Sequence, residues 1–63
     1  MNTSIASSYR DVATNSNQMR LIAVENLVDL KEWNDYIFID FCDGSMLSFN
    51  CVTNAVSVYI NCQ

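Results

Sequence analysis

The sequence predicts a small α+β domain of two layers, in which a helix covers a three-stranded antiparallel β-meander. Three runs rich in β-branched and aromatic residues follow one another at about residues 36–42, 46–52 and 55–62, and short turn sequences separate them. A segment with signals for a helix, at about residues 27–35, precedes these runs. The chain has 63 residues, a length that accommodates a single domain.

The helix is predicted from its first turn. Asn26 is a residue type favoured at the N-cap, and Asp29 follows three positions later in a weakened form of the capping box. In this helix Leu27 and Leu30 face the sheet, whereas the acidic residues face water or a partner. The apolar run at residues 21–24 is interpreted either as an extra edge strand or as the approach to the helix, because periodicity does not separate the two in so short a run.

The first turn of the meander is predicted to be a three-residue loop at residues 42–44, with Gly44 in the left-handed conformation of a bulge. A two-residue turn would divide the apolar side chains between the two faces of the sheet. The three-residue loop keeps them together, with Ile39 opposite Leu47 and Ile37 opposite Phe49.

The second turn is predicted to be a two-residue turn at residues 53–54. This turn continues the same apolar face, because a shift of one residue would reverse every side chain. The resulting pairs are Cys51 with Val56, Phe49 with Val58 and Leu47 with Ile60.

The two faces of the predicted sheet differ in composition. One face is almost entirely apolar and is expected to lie under the helix: Ile37, Ile39, Phe41, Leu47, Phe49, Cys51, Val56, Val58 and Ile60. The other face is mixed and carries an aromatic and methionine cluster of the kind found at protein interfaces: Tyr36, Phe38, Met46 and Tyr59. Three interpretations of this cluster stay open: the N-terminal segment folds back over it, a partner covers it, or its residues are individually exposed.

The N-terminal residues 1–18 are predicted to form a polar arm or a short helix, followed by a single α+β domain at residues 19–63. The helix alternative depends on one apolar stripe, with Thr3 or Ser4 as its cap and residues 14–18 as the linker that follows. The stripe consists of Ile5, Tyr9, Val12 and Ala13.

Composition argues against several classes of function. The chain has no histidine, and its size leaves little volume for a pocket, so we expect no enzyme activity and no cofactor. Three cysteines without a close pair or an imidazole partner predict no zinc site, and the acids lack the spacing of a calcium loop. Three Lys and Arg against seven Asp and Glu give a net charge of −4, which argues against direct binding of nucleic acid.

The cysteine count and the N-terminal segment predict a cytoplasmic protein. The number of cysteines is odd, and residues 1–18 have neither a basic start nor an apolar core of a signal peptide. We therefore expect reduced thiols, with Cys42, Cys51 and Cys62 as small buried hydrophobic residues. The apolar runs are far shorter than the roughly 20 residues that span a bilayer, so no membrane contact is predicted.

In size, acidity and lack of catalytic groups, the chain resembles the small inhibitor proteins that phages and mobile elements make, including anti-CRISPR and other anti-defence proteins. The resemblance concerns overall character and assigns no residue. It implies an acidic protein that occludes or locks a larger protein with a basic surface, such as one that handles nucleic acid. The predicted partner-binding residues are Glu25, Asp29, Glu32, Asp35, Tyr36, Phe38, Asp40, Asp43, Met46 and Tyr59.

The alternative hypothesis is a structural or assembly protein that associates with itself. The last predicted strand contains neither lysine nor proline to protect a sheet edge, so it invites pairing with another chain. A homodimer through this edge is the oligomer that the sequence predicts under that hypothesis.

Overall fold

The computed structural model describes residues 4–60, which form a four-stranded antiparallel sheet with two helices packed on one face. The sheet order β1-β2-β3-β4 follows the chain, so every connection is a hairpin between neighbours. The predicted α+β class is confirmed, although the sheet has four strands rather than three. The elements are α1 (Ile5–Ser8), α2 (Ser16–Glu25), β1 (Leu30–Trp33), β2 (Tyr36–Asp40), β3 (Met46–Asn50) and β4 (Val56–Tyr59). No helix within residues 4–60 is long and apolar enough to cross a membrane.

The core lies between the helices and the sheet face that we call the inner face. Met19, Ile22 and Ala23 of α2 pack against buried side chains of the two central strands. Because successive side chains of a strand point to opposite faces, the alternation read from the sequence places the same residues inward in the structure. The buried inner-face residues of these strands and the adjoining turn are Ile37, Ile39, Phe41, Leu47 and Phe49, with Val56 and Val58 of β4 partly buried beside them.

The predicted helix at residues 27–35 is wrong, because Asn26 ends a helix instead of beginning one. Asn26 is the C-cap of α2, and Leu27 takes a left-handed φ of 57° directly after it. The Leu27 N–H donates to the carbonyl of Val24 at 3.1 Å and the Val28 N–H to that of Ala23 at 3.0 Å. These two bonds form a Schellman motif, a helix ending that usually has glycine or asparagine at the left-handed position. The helix over the sheet is therefore α2, which contains the apolar run at residues 21–24.

Part of the segment that was predicted to be a helix forms the additional edge strand β1, Leu30–Trp33. Leu30 lies opposite Ile39, and Lys31 lies opposite Phe38. Leu30 is half-buried and packs against the core, whereas Lys31 and Trp33 lie on the opposite face of the sheet. Leu30, Lys31 and Glu32 are good helix formers, but the segment forms a strand because pairing with β2 satisfies the backbone groups that point toward that strand.

The first hairpin of the predicted meander is confirmed. Ile39 lies opposite Leu47 and Ile37 opposite Phe49. Gly44 has φ 88°, a left-handed value that favours glycine. The Phe41 N–H donates to the carbonyl of Ser45 at 2.9 Å and closes the loop.

The predicted register of the second hairpin is wrong by two residues. Leu47 lies opposite Val58 and Phe49 opposite Val56, so the loop is longer than two residues. The Asn50 side chain stabilises this longer loop, because its Oδ1 accepts the N–H groups of Val52 at 2.9 Å and Thr53 at 3.0 Å. A shift of two residues leaves each strand residue on its predicted face, because the side-chain period is two.

The corrected register changes the ends of the strands. Cys51 lies in the loop and is exposed, and Ile60 is 61% exposed rather than paired with Leu47. Cys42 is exposed as well, so the expectation of buried thiols is wrong for both described cysteines. Cys62 and the predicted end of the last strand lie outside the described residues.

The N-terminal segment packs on the inner face. Ser4 caps α1, since its Oγ accepts the N–H of Ser7 at 3.1 Å, whereas Thr3 lies outside the described residues. The helix is shorter than the predicted stripe, although Ala6 and Ala13 are both fully buried. The predicted linker at residues 14–18 is wrong, because α2 begins within it, at Ser16, with Asn15 as the N-cap.

Candidate binding surface

The sheet face opposite the two helices, which we call the outer face, carries the largest group of predicted site residues. Pairing across the strands arranges its side chains in three rows. Within residues 4–60 both helices pack on the inner face, so no second layer covers the outer one. The rows are Trp33, Tyr36 and Asn50; Lys31, Phe38, Ser48 and Ser57; and Asp40, Met46 and Tyr59.

Aromatic side chains dominate one end of the outer face. Trp33 lies opposite Tyr36 in the β1–β2 hairpin. Tyr36 stacks on Phe38 with ring centroids 5.9 Å apart and an interplanar angle of 12°. Trp33 is 67% exposed and Tyr36 is 41% exposed, and Phe38 is half-buried beneath its neighbours. Trp33 and Tyr36 thus expose aromatic side chains at this end of the outer face.

A second exposed aromatic lies at the opposite corner. Tyr59 of β4 is 54% exposed and lies opposite the half-buried Met46. Met46 in turn lies opposite Asp40. Between the two corners, in the row of Lys31 and Phe38, the small side chain of Ser48 is buried.

The N-terminal segment does not cover this surface in the described part of the chain. Tyr9 stacks on Phe41, an inner-face residue, with ring centroids 5.8 Å apart and an interplanar angle of 9°. The expectation that this segment folds back over the aromatic cluster is therefore wrong for residues 4–60. No part of the chain between residues 4 and 60 covers the cluster.

Two of the predicted acidic site residues hold the N-terminal segment in place. The Tyr9 hydroxyl donates to Glu25 Oε1 at 2.6 Å, which connects α1 to the end of α2. The Asp43 carboxylate accepts the backbone N–H of Ile5 at 2.8 Å and the N–H of Ser45 at 2.9 Å. The hydroxyl of Ser45 donates to the same carboxylate.

These hydrogen bonds change the acidity of Asp43. Donation from the Ser45 hydroxyl is the largest cause, followed by the backbone N–H groups of Ile5 and Ser45, and together they hold the pKa of Asp43 below its ordinary value of 3.8. Each donor favours the ionised carboxylate. The charge of Asp43 therefore contributes to the fold at the junction of α1 and the β2–β3 loop.

The other acids lie along the β1–β2 side of the sheet. Asp40 forms an exposed ion pair with Lys31, whose Nζ lies 3.0 Å from Asp40 Oδ2. Asp29 lies beside this pair, and the three residues line a shallow open depression of about 340 Å³. Glu32 and Asp35 are exposed on β1 and in the turn after it. The structure thus brings Asp29 and Asp40 together but separates them from Glu25 and Asp43.

Charge is distributed unequally across the sheet. Every charged residue of the sequence lies between Arg10 and Asp43, so the β3–β4 hairpin has no charged side chain. Four acids and one lysine lie on or beside β1 and β2. One side of the sheet is therefore acidic and the other is uncharged.

Sequence reasoning missed Trp33 as a member of the surface. Its assignment to a helix separated it from Tyr36, whereas the β1–β2 hairpin places the two side by side. The available signal was the sequence Asn34-Asp35, a turn dipeptide between two short runs. Asn34 has a φ of 54°, as asparagine in such turns often does.

Comparisons of the chain with protein families, with curated proteins and with solved structures found no match. The function is therefore inferred from the surface itself. The outer face carries exposed aromatic side chains at two corners and an acidic border along β1 and β2. Exposed aromatic residues of this kind are enriched at protein interfaces.

Proposed function

We propose that this protein acts by binding another protein through its outer face, as a non-catalytic inhibitor. The observation that supports the proposal is a sheet face that no described residue covers and on which Trp33, Tyr36 and Tyr59 are exposed. Tryptophan and tyrosine supply a large part of the binding energy at protein interfaces, because each buries much area with few rotatable bonds. A standard interface takes about 800 Å² from each partner, less than a fifth of the 4426 Å² surface of this chain.

The acidic border supports a partner with a basic surface. Asp29, Asp35 and Asp40 lie on the side of the outer face formed by β1 and β2, and Lys31 neutralises only part of their charge. Opposite charge at the border of an interface speeds association and selects the partner. Basic clefts are common in proteins that handle nucleic acid. The proposed partner is therefore a cytoplasmic protein of this kind, and the proposed role is anti-defence inhibition of anti-CRISPR type.

The test compares two double variants that each remove two exposed apolar side chains. Trp33→Ser with Tyr36→Ser changes the outer face, whereas Leu21→Ser with Val24→Ser changes exposed positions on α2. Proteins captured from a host lysate by the tagged wild type are retained as candidates only if the outer-face variant loses them and the α2 variant keeps them. Circular dichroism of both variants verifies that the fold is intact.

A candidate partner is then purified and titrated with the wild type at about 50 mM and about 500 mM salt, since salt screens exposed charges. The proposal expects binding that weakens at high salt and that blocks the partner's own binding of nucleic acid. Equal binding by the outer-face variant would contradict the assigned surface. Binding without any effect on the partner's activity would contradict the inhibitory role.

A second candidate function is a self-associating structural or assembly protein, which the uncharged β3–β4 hairpin favours. Its distinguishing result is a discrete oligomer of the protein alone, with capture of no other protein by the tagged wild type.

A further inference from the structure

The two edges of the sheet are protected to different degrees. The edge strand β1 carries Lys31 and Glu32, and Glu32 lies on the inner face, opposite Ile37. Another strand added at this edge would have to bring the Glu32 carboxylate toward apolar surroundings, which is one way in which natural proteins block an edge. The other edge strand, β4, has no charged side chain and no proline. Within residues 4–60, β4 is therefore the one edge of the sheet without such protection.

The hydrogen bonds of the β3–β4 hairpin identify the free backbone groups of this edge. The Asn50 N–H donates to the carbonyl of Ala55 at 2.9 Å. In an antiparallel pair, residues bond to the neighbouring strand at every second position, so Ser57 and Tyr59 also bond to β3. The groups that point away from β3 belong to Val56, Val58 and Ile60.

We propose that β4 pairs with β4 of a second copy of this chain, antiparallel and about a two-fold axis that passes midway between Val58 and the partner's Val58. The two sheets then join into one continuous sheet of eight strands. In this register Val58 lies opposite the partner's Val58, Val56 opposite the partner's Ile60, and Ser57 opposite the partner's Tyr59. The inference does not depend on the proposed function.

The faces of the strand determine where the axis falls. Residues that lie opposite each other in a sheet share a face, so a two-fold axis between two residues would place Val56 of the inner face opposite Tyr59 of the outer face. The conflict does not arise if the axis lies between a residue and the same residue of the partner; we call this an axis on that residue. An axis on Val58 also uses the outward N–H and C=O groups of all three free residues, whereas an axis on Ser57 leaves those of Ile60 unused.

The same register explains the exposure of Ile60. Its side chain is 61% exposed although it lies on the inner-face side of the strand. In the dimer it packs beside the partner's half-buried Val56, which extends the apolar inner face across the junction. An exposed isoleucine at the end of an unprotected edge is thereby removed from water.

The distribution of charge favours a second copy of this chain as the partner at the β4 edge. Pairing of two identical strands brings like charges close together if the strand carries charged side chains. β4 carries no charged side chain. The acids beside β1 are separated from β4 by three strand spacings, about 14 Å. This distance exceeds the Debye length of about 8 Å at physiological salt, so the acidic sides of the two copies are screened from each other.

The test measures mass by sedimentation equilibrium over a range of protein concentrations. We expect the wild type to shift from the 7.1 kDa of one chain toward twice that mass as its concentration rises. Its melting temperature should rise with concentration, because dimerisation stabilises the folded chain by mass action.

The variants place charge at the junction. Ser57 and the partner's Ser57 lie diagonally across the contact between the two β4 strands, about 7–8 Å apart, so Ser57→Lys brings two positive charges together and should weaken dimerisation by about two- to fivefold. Ser57→Glu should do the same with negative charge. An equal mixture of the two variants should recover the dimer, which a merely destabilised fold would not do. Val52→Lys adds the same charge in the exposed β3–β4 loop and should leave dimerisation unchanged.

Hydrogen exchange of single amides supplies a readout that does not require a variant. In the dimer the Val58 amide should exchange slowly, and on dilution to the monomer it should become fast while the Tyr59 amide stays protected by β3. A wild type that stays monomeric at about 500 µM would overturn the proposal. So would a dimer whose Val58 amide exchanges rapidly, or one that survives Ser57→Lys unchanged.

Discussion

The carboxylate of Asp43 accepts the backbone N–H of Ile5 at 2.8 Å, across 38 positions of sequence. The same carboxylate closes the β2–β3 loop through the N–H and hydroxyl of Ser45, and the Ser45 Oγ accepts the N–H of Ala6 at 3.1 Å. The first two N–H groups of α1, which have no acceptor within the helix, are thus satisfied by the loop, and Ser4 satisfies the third. Asp43 and Ser45 together fasten the N-terminal segment to the inner side of the sheet.

Asp43→Asn should lower the melting temperature at neutral pH, because the amide loses the charge that the three donors favour. The pKa of Asp43 is held below its ordinary value, so the stability that its charge contributes is complete above 3.8 and is lost as the pH falls through the folded-state pKa. Thermal melts of both proteins across this range should therefore converge at low pH. A constant difference between them would contradict the role of the charge.

Leu27→Gly should stabilise the protein. Leu27 has a φ of 57° and is 93% exposed, so its side chain adds left-handed strain without packing. Relief of about 1–2 kcal/mol of strain exceeds the added chain entropy of about 0.4–1 kcal/mol in the unfolded state. Urea unfolding should show a rise of a few tenths to about 1 kcal/mol. Leu27→Ala keeps the Cβ atom and is the matched control, in which no such rise is expected.

Tyr9→Phe should reduce the free energy of unfolding by about 0.5–1.5 kcal/mol for each of the two hydrogen bonds that its hydroxyl makes. The substitution removes the hydroxyl that donates to Glu25 and accepts from Asn26 Nδ2, but it preserves the stacking on Phe41. A double-mutant cycle with Glu25→Gln measures the coupling between the two side chains. Strictly additive effects would show that the contact contributes nothing to stability.

Ile39→Ala and Trp33→Ala should differ in their effect on the free energy of unfolding, because the two residues lie on opposite faces of the sheet. Ile39 is fully buried on the inner face, so its truncation should cost about 2–5 kcal/mol. Trp33 is largely exposed on the outer face, and its truncation should change the free energy of unfolding by about 0.5 kcal/mol or less. Chemical denaturation of both variants measures the difference. A comparable loss at Trp33 would mean that the outer face is covered in solution.

Local pattern was sufficient for the central hairpin. The loop at residues 42–44 was predictable because only one register kept Ile37, Ile39, Leu47 and Phe49 on a single face, and Gly44 supplied the left-handed position. The aromatic members of the candidate surface followed from the same alternation. Tyr36, Phe38, Met46 and Tyr59 all lie on the outer face, as predicted.

The acidic part of the candidate surface did not follow from the sequence, because nearness along the chain does not determine nearness in space. Glu25 contacts Tyr9 and Asp43 contacts Ile5, and both partners come from the distant N-terminal segment. The ion pair of Lys31 with Asp40 required the β1–β2 hairpin, which was absent while residues 27–35 were assigned to a helix.

By itself, the sequence determined the class of fold, the face of each residue in the last three strands and the concentration of charge in residues 10–43. Those properties depend on side-chain period and composition, which are local. The tertiary structure decided that Asn26 ends a helix, that residues 30–33 form an edge strand and that the second hairpin shifts by two residues. In each case more than one structure satisfies the local strand periodicity or capping preference. Only packing against the rest of the chain selects one of them.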